Sequence, residues 1–445
     1  MRKKDKHAIF SWITKCFKQN MISLIDIKDT TMNTIYGALP LGILAVLASV
    51  TTHATTGYFM HGYGVKAQGN AGTSIANFND ALTIASNPAG LSWVGQRIDV
   101  GTTVFSPDRS AEIQGSPMAN GNYNGNGREY FVIPEIAYNH QVTDQVAFGF
   151  ALYGNGGMNT GYKQNPFQNY GNTGSAGVDL TQVFFSPAIS WKYSDNQSIG
   201  IASNIMYQRF EAKGIESFAP MSQDGLNLSN RGKDSSAGIG FRVGWSGTFL
   251  DEKVTLGAKY SSKIQADKFD RYKGLFAENG GFDVPESYGV GAAYQVTPKL
   301  KFAADIERIK YSDVASIAND LDLTQALGSA QGSGFGWQDI NVYKLAATYK
   351  ATPKVTLRAG YSHNDQPIKK DQTFLNILAP GVVQDHVSVG ATWQLDQHQD
   401  VSIAYTHALE KEVKGEGSIP MMLGGGEANL KMSQDILGLA YSYKY

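Results

Sequence analysis

Few side chains in this 445-residue chain are spaced for bond-making chemistry. His363 stands two residues from Asp365, and His386 directly follows Asp385. An imidazole beside a carboxylate is the base-and-orienter pair of a hydrolase, which also needs a serine held on a tight turn. No serine here sits in such an elbow or beside such a base. The strand topology described below also puts His386 low on one strand and His363 near the outer end of another, so the two should not meet. The single cysteine, Cys16, lies upstream of a cleavage site, which leaves the mature chain no thiol nucleophile and no cysteine ligand for a metal. The expectation is a protein that is not an enzyme and holds no metal or cofactor. Three other features stand out: the small-residue stretch Gly69–Leu91, the glycines Gly154, Gly156 and Gly157, and apolar residues in stretches that should face solvent. Their chemistry is close backbone approach and apolar contact.

The elements that must position these features are strands. After residue 96 the chain alternates apolar and polar residues in runs of about 9–13, the length that a tilted strand needs to cross a bilayer. The runs are Arg97–Phe105, Tyr130–His140, Gln145–Tyr153, Asp179–Tyr193, Gln197–Glu211, Ala237–Phe249, Val254–Ile264, Pro285–Gln295, Leu300–Tyr311, Asp339–Tyr349, Val355–Asn364, Gln384–Gln394, Asp400–Leu409 and Gln434–Tyr445. Short turns alternate with long loops at roughly 107–129, 154–178, 212–236, 265–284, 312–338, 365–383 and 410–433. In the last run Leu437, Leu439, Tyr441, Tyr443 and Tyr445 share one face, and Gly438, Ala440, Ser442 and Lys444 the other. One lipid face and one lumen face require this period of two. The predicted fold is an all-β membrane protein: a 14-stranded antiparallel transmembrane β-barrel over 97–445, with a small, partly helical hatch at 55–96 inside the lumen. A water-soluble sandwich has no reason to keep turns and loops so strictly alternating.

Residues Ile35–Val50 form an apolar run too short for a membrane helix, followed by Thr52-His53-Ala54. This reads as a signal peptide with an unusual N-terminal extension, residues 1–54, cleaved after Ala54. Within the hatch, Asn79 or Asp80 can cap a helix over Ala81–Ala85, and Asn87-Pro88 ends it. The formal net charge of −1 gives no support for a nucleic-acid partner.

Together these residues resemble a known family. Asn87-Pro88-Ala89-Gly90-Leu91 in the hatch, Gly57-Tyr58-Phe59 at the mature start, Ile133-Pro134-Glu135-Ile136-Ala137-Tyr138, Ser186-Pro187-Ala188-Ile189, Pro380 and His386-Val387-Ser388-Val389-Gly390 are similar to the FadL/TodX outer-membrane transporters of long-chain fatty acids and aromatic hydrocarbons. The resemblance covers the whole mature chain. It implies passive uptake in the bacterial outer membrane, with long-chain fatty acids as the leading substrate. A ligand is captured in a groove among the outer loops, held in the lumen, and released sideways into the membrane through a gap at the third strand. The expected groove residues are Phe218, Met221 and Leu226 with Phe269, Leu275 and Phe276. The expected hatch and exit residues are Asn87, Pro88, Ala89, Gly154, Gly156 and Gly157. In the lumen Phe59, Arg242, Lys344 and Arg358 are candidates to meet the ligand, the three cations as partners for a carboxylate headgroup. The partners implied are a hydrophobic small molecule and outer-membrane lipids, around a monomer. The alternatives are an aromatic-hydrocarbon channel of the same fold and a general diffusion porin, which would need an open lumen.

Overall fold

The computed structural model describes residues 56–445, so the signal-peptide reading of 1–54 lies outside the described residues. The chain is a closed 14-stranded antiparallel barrel. In order, β1 is Arg97–Gln114, β2 Gly121–Asn124, β3 Phe131–Gln141, β4 Val146–Asn159, β5 Gly177–Ser194, β6 Gln197–Lys213, β7 Asp234–Phe249 and β8 Val254–Ser261. Then come β9 Ser287–Thr297, β10 Leu300–Ile309, β11 Ile340–Lys350, β12 Val355–Asn364, β13 Asp385–Gln394, β14 Gln399–Val413 and β15 Glu427–Lys444. Each strand pairs with its sequence neighbour, except that β3 passes the short arm β2 to reach β1, and β15 returns to β1 to close the ring.

Alternation along the strands puts apolar side chains outward and small or polar ones inward. On β15, Leu437 and Leu439 are about half exposed while Ser442 is buried against the hatch. Trp191, Tyr193, Tyr294, Tyr349, Trp393 and Tyr443 stay exposed near the short-turn ends, as an interfacial aromatic belt does. At the long-loop ends the outward face turns polar. Tyr361 and His363 share the Asp385 carboxylate, and Tyr405 and His407 share that of Asp435. His386 thus lies at the long-loop end of β13, opposite Ser362, rather than low on its strand. It still does not meet His363, because the two point to opposite faces.

The hatch fills the lumen. It contains a one-turn helix, α1 (Val65–Gln68), and two 3₁₀ turns, Ala81–Ala85 and Pro88–Trp93. Asp80 caps the first turn through Leu82 N, and Asn87 caps the second through Ala89 N. Asn87-Pro88 therefore ends one turn and begins the next, with proline at a first-turn position where no N–H is needed. Wall carboxylates complete the hatch's free amides. Glu135 accepts from Gly64 N and Val65 N at 3.1 Å each, Asp305 from Ser74 N (2.7 Å) and Ile75 N (3.0 Å), and Asp99 from Ala81 N (2.9 Å). Glycines in the wall make room for it: a Cβ on Gly244 would stand 1.9 Å from Asn87 Oδ1.

Candidate functional site

The long loops fold over the mouth and line an apolar pocket whose free space is about 60 Å³, small beside typical small-molecule sites. Phe218 and Met221 line it from one loop and Leu275 and Phe276 from the next, as the sequence suggests. Two expected residues do not. Leu226 points into solvent, 83% exposed, and Phe269 is buried behind the lining against Phe210 and Phe276. The rest of the lining includes Phe167, Leu321, Leu323, Phe335, Phe374 and Leu423 from other long loops, and Val178 and Phe210 from β5 and β6. Phe167 packs edge-on against both Phe218 (5.6 Å) and Phe374 (5.5 Å), tying three loops together. The polar lining residues are Ser316, Gln325 and Ser333, with no charged side chain. In the loop before β11 one helical turn, Ala315–Ala318, is followed by Leu321, Leu323 and Leu327, which line the groove.

A second, smaller cavity, of about 30 Å³, lies between β1, β4, β15 and Ala379–Gly381. Phe105, Met158, Trp337 and Met432 line it, together with Gly57 of the hatch, Gly157 of β4 and Arg109.

Beside this cavity the barrel wall changes. β3 and β4 pair from Gln141↔Ala147 to Ile136↔Leu152, and there the pairing stops. Above that point Phe131–Glu135 stays on β1, while Tyr153–Asn159 stays on β5 with a bulge between Gly154 and Gly156. The strand therefore runs through the glycines and leans away from its neighbour, as glycines and bulges permit. The freed edge of β4 is taken by the hatch. Gly157 N donates to Tyr58 O at 2.9 Å, Met60 N to Asn155 O at 3.0 Å, and Phe59 bridges Gly156. Met60, with Tyr63 against it, packs from inside on Phe105, Phe131 and Ile133 and fills the opened seam. The top of the opening is closed by Gly125–Gly127 paired with Gly161, and by Arg109, whose guanidinium donates to the carbonyls of Asn159 and Arg128.

The hatch stretch beside Gly154, Gly156 and Gly157 is thus Gly57–Met60. Asn87-Pro88-Ala89 lies elsewhere, on the wall of β5–β7, where Asn87 Nδ2 donates to Trp245 O and Ala89 O accepts from Ser190 and Ser198. Sequence order could not separate the two placements, because both stretches belong to one small folded plug.

The lumen candidates all face inward, but their partners are protein groups. Phe59 packs against Tyr58 and Tyr311. Arg242 donates to Ile84 O of the hatch (3.0 Å), to Tyr153 Oη (3.1 Å) and to Ser261 Oγ (2.7 Å). Lys344 reaches Gly72 O and pairs with Glu307 at 3.8 Å, and Lys259 shares that carboxylate. These two cations hold the hatch to the wall. Arg358 differs: it bonds Thr392 Oγ1 and forms no ion pair among the described residues. Among the described residues no group of three or more metal-ligating side chains is found.

Known proteins share this architecture. The Pseudomonas putida toluene transporter TodX covers 86% of this chain and 99% of its own, with a TM-score of 0.64 at 19% identity. A FadL homologue of Pseudomonas aeruginosa gives 0.68 at 17% identity over 87% and 99%. The Ralstonia pickettii toluene transporter TbuX gives 0.62 at 18% over 86% and 99%. An outer membrane protein of Neisseria meningitidis serogroup B is 25% identical over 89% of this chain and 96% of its own length. The model of the outer membrane protein transport family matches residues 45–445. With that match spanning nearly the whole hatch-filled barrel, the chain belongs to the OMPP1/FadL/TodX family of outer membrane transport proteins.

Proposed function

We propose that this transporter of hydrophobic compounds carries long-chain fatty acids, taking them from the loop groove to the inner cavity and releasing them sideways between β3 and β4. The observation that carries the reading is the parted seam, held open by the bulge at Gly154–Gly156 and stoppered from inside by Met60 and Tyr63. The inner cavity touches that seam through Gly157 and Met158. An apolar molecule entering the groove leaves water for a lining of aromatic and aliphatic carbon, worth roughly 25 cal/mol per Å² buried. Lateral release then takes it from one apolar environment to another without crossing the polar headgroups of the outer leaflet.

One observation favours a second reading. The groove has no charged lining residue, which suits a neutral aromatic hydrocarbon as well as an acid whose carboxylate stays in water. A diffusion porin fits poorly, since the hatch occupies the lumen through many buried contacts. Uptake of labelled oleate and toluene should be measured in outer-membrane vesicles with and without the chain. Saturable oleate uptake is expected. Saturable toluene uptake alone would select the second reading, and a steady ohmic conductance to small ions would replace both with a porin.

A further inference from the structure

The lumen holds a second cluster, apart from the apolar path, at the short-turn end of β10–β12. Lys301, Thr348 and Arg358 occupy one row across the three strands: Lys301 pairs with Thr348, and Thr348 with Arg358. Two strand spacings put the backbones of Lys301 and Arg358 roughly 10 Å apart, close enough for two long side chains to converge over the threonine between them. The charged neighbours of Lys301 are Arg358 and Lys350, both of its own sign. The acids that influence Arg358 most are Asp80 and Asp400, and both are engaged elsewhere. Asp80 caps Leu82 N, and Asp400 pairs with Lys66 at 2.7 Å and Lys444 at 3.8 Å. Among the described residues neither Lys301 nor Arg358 has a carboxylate in ion-pair range.

The donors outnumber the acceptors as well. Arg358 is 9% exposed, and one of its guanidinium nitrogens donates to Thr392 Oγ1 at 2.6 Å, while its buried Nε has no partner. From the hatch side Asn70 is fully buried. Its Oδ1 accepts from Thr348 Oγ1 at 3.1 Å, and its Nδ2 is also without a partner. Like charges brought together out of water are costly unless an opposite charge joins them. Here two cations, a spare guanidinium N–H and a spare amide belong to one strand row and the hatch residue bonded to it, with no acid in ion-pair range of either cation.

We propose that Lys301, Arg358, Thr348 and Asn70 form a binding site for a small oxyanion, a carboxylate or a phosphate, at the periplasmic mouth of the lumen. The occupant ties the hatch, through Asn70, to the β10–β12 wall. The site stands whether the apolar path carries fatty acids or hydrocarbons. Charge-assisted bonds of this kind fix both affinity and salt dependence.

The test is calorimetric titration of inorganic phosphate into the detergent-solubilised mature chain at constant ionic strength. One saturable site is expected. Lys301→Gln with Arg358→Gln should weaken it on the order of tenfold or more, whereas Lys354→Gln, in the exposed neighbouring turn, should leave it unchanged. Lys301→Arg should retain binding. A heat-modifiable band on electrophoresis shows that each variant has folded, and if the double variant does not assemble, Arg358→Gln alone should show the loss. Competition by decanoate then names the occupant. Displacement of phosphate points to the headgroup of a lipid acid and persistence to a free periplasmic oxyanion, and either result keeps the site. Absence of saturable binding in the wild type, or equal binding in the folded variant, overturns it.

Discussion

Gly156→Ala tests how the hatch seals the seam. A Cβ at this position would stand 1.9 Å from Tyr58 O, 3.0 Å from its carbonyl carbon and 3.2 Å from Phe59 Cα. All three are backbone atoms, so no flexible side-chain end can give way. The hatch strand must retreat from β4, and with it go the bonds from Gly157 N to Tyr58 O and from Met60 N to Asn155 O. At about 1 kcal/mol net for each bond, the docked state loses about 2 kcal/mol. At about 1.4 kcal/mol per tenfold, the undocked population rises about thirtyfold. Tyr311, which donates to Thr56 O, keeps the segment tethered, so the barrel and the rest of the hatch should remain intact. Hydrogen–deuterium exchange read by mass spectrometry should show the peptide over residues 57–60 exchanging about thirtyfold faster, with β5 and β6 unaffected. Unchanged protection over 57–60 would refute the argument that this glycine is required for hatch docking.

Three further substitutions probe other parts of the path. Phe218→Asp removes one wall of the loop groove, and burial of a phenylalanine is worth about 1.5–3 kcal/mol, so affinity for an apolar ligand should fall at least about tenfold while the heat-modifiable barrel still forms; unaltered affinity discards the groove. Arg242→Gln breaks the bond to Ile84 O that holds the first hatch turn, and should raise single-channel conductance without lowering ligand affinity, whereas a loss of affinity for acids alone would make this cation a headgroup partner after all. Asp80 is pushed up to about 6 by burial and by the neighbouring Asp99, against the opposing pull of Lys66 and Arg97. Its folded pKa lies above the unfolded value near 4, so the hatch holds the proton more tightly, and Asp80's contribution to stability is lost as pH rises from about 4 to about 6. Hatch amide protection, corrected for intrinsic rates, should therefore fall across that window in the wild type and stay flat in Asp80→Asn.

The barrel was legible because a wall with lipid on one side and a packed lumen on the other imposes a period of two. The ends were less so. The first run breaks at Pro107, which lacks an N–H, yet β1 continues to Gln114 because β15 pairs with it along the full length. Beyond the lipid the outward face no longer needs to be apolar, so the pattern fades while the ladder persists. The glycines at 154–157 could be read as a local weakness in a strand, but not the identity of the segment that exploits it, since Gly57–Met60 arrives there only through the fold of the hatch. The inward direction of Arg242, Lys344 and Arg358 followed from parity. Their partners did not, because Ile84 and Gly72 offer backbone carbonyls, which no side-chain pattern reports. Phe167 and Phe374 were the groove residues most open to discovery, as large aromatics in long loops, but their meeting depends on three loops crossing.

The central claim is that ligand leaves through the wall between β3 and β4, and bridging that seam tests it most directly. Pro134 and Gly154 are two register steps beyond the last pair, Ile136↔Leu152. Cys16 is the only cysteine of the chain, so with Cys16→Ser in place Pro134→Cys with Gly154→Cys gives a reactive pair on a clean background. Uptake of a labelled fatty acid should be measured before and after joining the two thiols with a bifunctional reagent, alongside binding to the loop groove. The account predicts that bridging abolishes uptake and leaves groove binding unchanged, with each single-cysteine variant unaffected by the reagent. Undiminished uptake through a bridged seam would contradict it.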